Sequence, residues 1–209
     1  AFTTEQKTPE KTKNLIIVAV ITVILHVVMI LLAKLFIRHK DDKANRIMRL
    51  LVIFSNSGYM AFPLQKAILG DIGVFYGAMF VAIFNIFMWT YAVFVASGDK
   101  KTLQIKNILL NPTIISVIVS ILLYAFSIKL PDFLSDAVSG LGNLNTPLPM
   151  IIIGFNISCF PFIQLFNDKR VYFPGVLRLV AMPLLSLGIM FVLGVRGLPL
   201  IACTIAASA

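Results

Sequence analysis

Asn56, Ser57, Gly58 and Pro63 stand close together in the middle of an apolar run, Leu50 to Leu69. Asn56 and Ser57 bring side-chain donors and acceptors to a place where hydrocarbon offers none. Gly58 lets the backbone bend, and Pro63 removes an N–H and frees a carbonyl. N–H groups freed at the start of a half-helix, at the positive end of its dipole, suit an anionic carboxylate. The competing explanation is a simple kinked helix, because Pro and Gly are common in membrane spans. Such a break survives in a bilayer only where it is buried in protein or lines a wet cavity. In secondary transporters, interrupted helices of this kind build the substrate site near the midplane. The chemistry indicated is recognition and passage of a small anion.

Other polar groups lie at or near membrane depth. Asn145, with Asn143 and Thr146, precedes Pro147 and can face a translocation path. These groups, and Asn85, can equally form helix-to-helix hydrogen bonds, worth about 0.6 kcal/mol each on average. Arg178 lies about two turns into an apolar segment, and its guanidinium fork is well shaped for an organic anion. The alternative is an arginine that snorkels to the membrane face or pairs with a loop. His26 is a proton-coupling candidate, because imidazole titrates near physiological pH and lies here in mid-span. Its alternative is a neutral imidazole bonded to a neighbouring helix, favoured by the lack of an obvious carboxylate partner. Lys34 and Lys66 lie near span ends and read as snorkelling residues. Gly73 and Gly77 form a small-residue pair suited to helix packing.

No metal cluster, phosphate loop or nucleophile–base pair is present, so neither an enzyme nor a cofactor is expected. Every Asp and Glu lies in a loop or terminus, which weakens a carboxylate-based Na⁺ site; backbone carbonyls can still bind Na⁺. Cys159 and Cys203 lack metal-ligand and disulfide spacing and read as small buried residues.

The elements that must position these groups are membrane helices. The chain has 209 residues, 59% hydrophobic and only 13% charged, with mean hydropathy +0.94. A soluble domain has about 45–50% apolar and about 25% charged residues. The expected spans are Asn14 to Ile37, the broken Leu50 to Leu69, Val74 to Ala96, Ile108 to Ile128, Leu141 to Leu165 and Tyr172 to Val195. Leu198 to Ala209 begins a seventh. Continuous apolar runs exclude a transmembrane β-barrel, which needs alternating strands of about 10 residues. The net charge of +9 does not indicate nucleic acid, because the basic residues sit in short loops between spans.

The loops at 38–49, 98–106 and 167–170 are basic and alternate with turns poor in Lys and Arg. The positive-inside rule then places the N-terminus outside. Two features run against it. Arg196 falls in an outer turn, and Lys7, Lys11 and Lys13 lie in the outer opening segment beside Glu5 and Glu10.

The stretch Asn56-Ser57-Gly58-Tyr59-Met60-Ala61-Phe62-Pro63-Leu64, followed by Leu69-Gly70, resembles the NxGxxGxPL…G pattern of the auxin efflux carrier family. That family includes bacterial malate and malonate permeases. Asn111-Pro112-Thr113-Ile114-Ile115 is similar to its mid-protein NP segment, and Pro147 to Gly154 to its PLxMxxxG segment. Arg178 to Pro183 is similar to a later R…P helix. Ala61 departs from the pattern, standing where the family has a second Gly.

The resemblance implies ten spans in two inverted five-helix repeats, with proline-broken helices crossing near the midplane. On that alignment this chain is a fragment of six full spans plus the start of a seventh, lacking the first two helices and the C-terminal end. It also implies an elevator-type carrier of small organic anions in the plasma (inner) membrane. H⁺ or Na⁺ would be the coupling ion, and scaffold helices could form a homodimer. Residues 1–97 and 167–209 would supply transport-domain helices and 98–166 the scaffold. A bile-acid/sodium symporter-like carrier of the same crossed-helix fold is the alternative, and a channel or non-transporting membrane subunit is another.

Overall fold

Thr8 starts the first helix: its side chain accepts from the Lys11 N–H at 3.2 Å, and Pro9 takes the first helical position. The helix then runs unbroken as α1, Pro9–Phe36, 28 residues of mean hydropathy 3.2 in its most apolar window. At 1.5 Å per residue it is about 42 Å long, more than enough for a hydrocarbon core of about 30 Å. Its buried residues, Leu15, Val18, Thr22, Leu25, His26, Met29 and Ala33 among them, recur at helical spacing and form one face. The computed structural model describes residues 7–38, 40–98, 110–159 and 169–209, without the side chains of 169–171.

Eight further helices follow among the described residues. They are α2 (Asp42–Ile53), α3 (Ala61–Leu69), α4 (Asp71–Ser97), α5 (Pro112–Ala125), α6 (Asp132–Asn143) and α7 (Pro147–Ser158). Then α8 runs through Lys169–Val176, Leu177–Ala181 and Met182–Val192, and α9 is Leu198–Ser208. With α1 counted, three helical segments among the described residues, Pro9–Phe36, Asp71–Ser97 and Tyr172–Val192, are long and apolar enough to cross a membrane alone. No strand occurs among the described residues.

Both α4 and α8 contain a π-helical turn, and each has a local cause. In α4 the turn is Met88–Ala92, where the Thr90 hydroxyl donates to the Ile86 carbonyl at 2.6 Å and competes with the helical ladder. In α8 the turn Leu177–Ala181 just precedes Pro183, which has no N–H to give, and the Met182 N–H reaches back to Leu177.

Several boundaries differ from the sequence expectation. Helix α2 begins at Asp42, not Leu50, so much of the basic loop is helical. Asp41 caps it by accepting from the Lys43 N–H at 3.0 Å, and Arg46 pairs with Asp42 one turn away at 3.3 Å. The expected fifth span, Leu141 to Leu165, is not one helix over its described part. It divides into α6 and α7 at a turn over 144–146, where Pro147 starts the second helix. Residues 160–165, most of the basic loop 98–106 and the start of the loop 167–170 lie outside the described residues. Cys203 is buried as expected, but Cys159 is exposed at the end of α7.

The core is built from α1, α4 and α9, with α2, α3 and α8 packed around them. Gly70 turns the chain sharply between α3 and α4 at φ 70°, a conformation that disfavours a side chain. Gly73 and Gly77 then let α4 lie against α3. A Cβ at Gly73 would sit 2.5 Å from the Leu69 Cβ, and one at Gly77 would collide with the Gln65 carboxamide. Helices α6 and α7 lie outside this core and expose Leu141, Ile151 and Phe155.

Candidate functional site

Helix α2 stops when the Phe54 N–H closes its last bond, to the Leu50 carbonyl. Residues 54–56 have no regular structure, with Phe54 extended; 57–60 form a turn closed from the Met60 N–H to the Asn56 carbonyl at 3.1 Å, and α3 begins at Ala61. The break therefore lies at 54–60. Pro63 sits beyond it, in the first turn of α3, where a missing N–H leaves no helical bond unmade.

Carbonyls in the last described turn of α9 lie against this break and receive donors from two distant segments. The Ser55 hydroxyl donates to the Ala206 carbonyl at 3.0 Å, and the Asn56 N–H to Ala209 at 3.1 Å. Arg178 Nη2 donates to Ala207 at 2.7 Å and to Ala209 at 3.4 Å. One and a half turns earlier on α9, Gln65 Nε2 donates to the Ala202 carbonyl at 2.9 Å.

Three polar atoms near this crossing are buried without a hydrogen-bond partner among the described residues: Ser57 Oγ, Gln65 Oε1 and Arg178 Nη1. Arg178 is only 8% exposed, and no Asp or Glu side chain among the described residues pairs with it. A buried cation with an unused donor is costly unless something completes it.

On the other side of the break, Asn145 Nδ2 donates to the Gly58 carbonyl at 3.1 Å. This bond ties the turn between α6 and α7 to the interrupted helix. It closes one corner of a cavity of about 630 Å³. Phe62, Pro63, Lys66 and Val74 form one wall, and Ser135, Asp136, Asn143 and Thr146 lie on the other. Lys66, expected only to snorkel, lines this cavity and pairs with Asp71 at 3.5 Å.

His26 stands apart from the polar cluster, in an aromatic cage. It is 2% exposed, and its Nδ1 bonds the Thr22 carbonyl at 2.8 Å, so that nitrogen carries the proton. Phe87 stacks on it at 4.9 Å between ring centroids, with Phe80, Phe84 and Phe54 within 6.2 Å. Through Phe54, at the end of α2, the cage adjoins the break.

The structure thus gathers Asn56, Ser57, Gly58, Asn145 and Arg178 around one crossing, keeps Pro63 beside it, and sets His26 behind a wall of phenyl rings. Sequence reasoning missed Gln65 and Ser55. The available signal for Gln65 was an uncharged polar residue on the second half of the broken helix, facing the Gly73 and Gly77 pair.

A family model described as membrane transport protein matches residues 1–108 and again 101–209. No curated protein and no solved structure matches the chain. With its apolar spanning helices and matches that together run along its whole length, the chain belongs to this membrane transport protein family, that of the auxin efflux carriers.

Proposed function

We propose that the chain forms the anion site of a secondary transporter for small organic anions such as malate or malonate. The observation that carries this reading is the buried Arg178 guanidinium, with Nη2 on α9 carbonyls and Nη1 unused. At an effective dielectric near 20, an anion about 4 Å from such a charge gains about 4 kcal/mol, enough to offset much of a carboxylate's desolvation. Asn56, Ser57 and the Gly58 backbone then hold the remaining oxygens. Asn145 closes the site from the α6–α7 turn, and Pro63 fixes where α3 begins.

In this reading the broken helix, α1, α4, α8 and α9 form a transport domain, from residues 1–97 and 167–209. Residues 98–166 supply a scaffold and a homodimer contact. The Asn145 to Gly58 bond must break when one slides past the other, as elevator-type alternating access requires. His26 is the proton-coupling candidate, with Na⁺ as the other coupling ion. The protein sits in the plasma (inner) membrane with the N-terminus outside.

The test is radiolabelled malate uptake into proteoliposomes, with and without Asn56→Ala. Saturable uptake abolished by the substitution is the expected result. Uptake indifferent to Asn56 would reduce the break to a structural kink, and the absence of any dicarboxylate uptake would remove the substrate class.

A further inference from the structure

We propose that a groove along α1, at the α8–α9 turn, holds one anionic phospholipid, its phosphate between Lys13 and Arg196 and an acyl chain lying down the helix. The proposal is independent of what the chain transports.

Three depressions follow one another along α1. The first, at Lys7 and Thr12, shares Lys13 and Ile17 with the second. The second runs past Val20 and is flanked by Arg196 and Leu193. It shares Ile24 and Leu193 with the third, which reaches Leu185 and Gly188 and has an entirely apolar lining. From Lys13 to Ile24 the helix rises about 16 Å, close to half of a hydrocarbon core of about 30 Å. The groove is therefore cationic at the membrane face and greasy to the depth of one leaflet, the order of groups in a phospholipid.

The cations at its mouth are available. Lys7 donates to the Ala125 carbonyl at 2.7 Å and Asn14 to the Tyr76 hydroxyl at 3.3 Å, so both are engaged. Lys13 and Arg196 are exposed and have no acidic partner among the described residues. The floor is open too: a Cβ at Gly188 would meet nothing within 4 Å. The site also accounts for an anomaly of charge. Lys13 and Arg196 lie on the face opposite the basic loop 38–49, where the positive-inside rule disfavours Lys and Arg. Both line the same groove, and charge-assisted bonds to a lipid phosphate are a reason for them to be there.

The test is native mass spectrometry of the delipidated protein, re-exposed to micelles of phosphatidylglycerol or of phosphatidylcholine with the same acyl chains. The wild type is expected to retain the anionic lipid at least fivefold over the zwitterionic one. The double variant Lys13→Gln, Arg196→Gln should equalise the two, while Lys13→Arg, which keeps the charge, should keep the preference. Gly188→Phe, which fills the groove but spares the cations, should lower retention of the anionic lipid. Glycerol phosphate in excess should not displace it. Equal retention by the wild type, or an unchanged preference in the double variant, would overturn the proposal and leave the groove to ordinary surrounding lipid or another helix. Displacement by glycerol phosphate would overturn it in favour of a free-phosphate site. Size-exclusion profiles and helical circular dichroism confirm that each variant is folded.

Discussion

Arg178 and Asn56, far apart in sequence, donate to the same acceptor, the Ala209 carbonyl, at 3.4 and 3.1 Å. The guanidinium of α8 and the backbone of the broken helix thus meet on the last turn of α9. One arginine both holds carbonyls of α9 and sets a positive charge at the break.

These two roles separate on substitution. Arg178→Lys keeps the charge but loses the planar fork, so one ammonium cannot hold the α9 carbonyls and a substrate carboxylate together. Its expected effect is a raised KM for malate, tenfold or more, with folding largely intact. Arg178→Ala leaves the buried Ala207 carbonyl without a donor and should also lower stability by about 1–3 kcal/mol. Uptake kinetics and SDS unfolding in micelles read the two effects. Equal KM values in wild type and the lysine variant would confine Arg178 to holding α9 against α8.

Gln65 and Gly77 form a second coupled pair. The carboxamide fills the space that a Cβ at Gly77 would need while its Nε2 holds the Ala202 carbonyl. Gly77→Val should therefore lower stability by about 1–3 kcal/mol, the usual cost of overpacking. Adding Gln65→Ala makes room, and the two changes should be non-additive by more than about 0.5 kcal/mol. The measurement is a double-mutant cycle by SDS unfolding. Strict additivity would show that the two residues do not share this space.

The break was legible because Asn56, Ser57, Gly58 and Pro63 violate an otherwise apolar run, and hydrocarbon leaves such groups few options. Its position was less legible. Pro63 draws attention to itself, yet proline is easiest to place in a first helical turn, so the chain bends before it. Gln65 escaped notice because its partner, Ala202, is 137 residues away and is a backbone carbonyl, which no side-chain pattern announces. The start of α2 was missed because its first turns are charged, and caps and paired charges, not hydropathy, define it. The division of α6 from α7 had a signal in Asn145-Thr146-Pro147, but hydropathy joined the two helices into one span.

His26 gives the remaining prediction. Four phenyl rings surround the imidazole, and Phe87 stacks face to face on it, an arrangement worth about 0.5–2 kcal/mol to a cation, depending on desolvation. The same cage packs a neutral imidazole as an ordinary apolar neighbour. Phe54 links the cage to the break, so a proton on His26 would lie near the proposed anion site. His26→Phe preserves the packing and removes the titratable group. The variant should be folded and should still take up malate when no gradient is imposed. Its uptake should no longer accelerate when the outside is made acidic relative to the lumen, whereas wild-type uptake should. The readout is initial uptake rate with and without an imposed proton gradient, in liposomes of matched protein content. A variant that keeps the wild-type acceleration would leave His26 with packing alone and turn the search for coupling towards Na⁺.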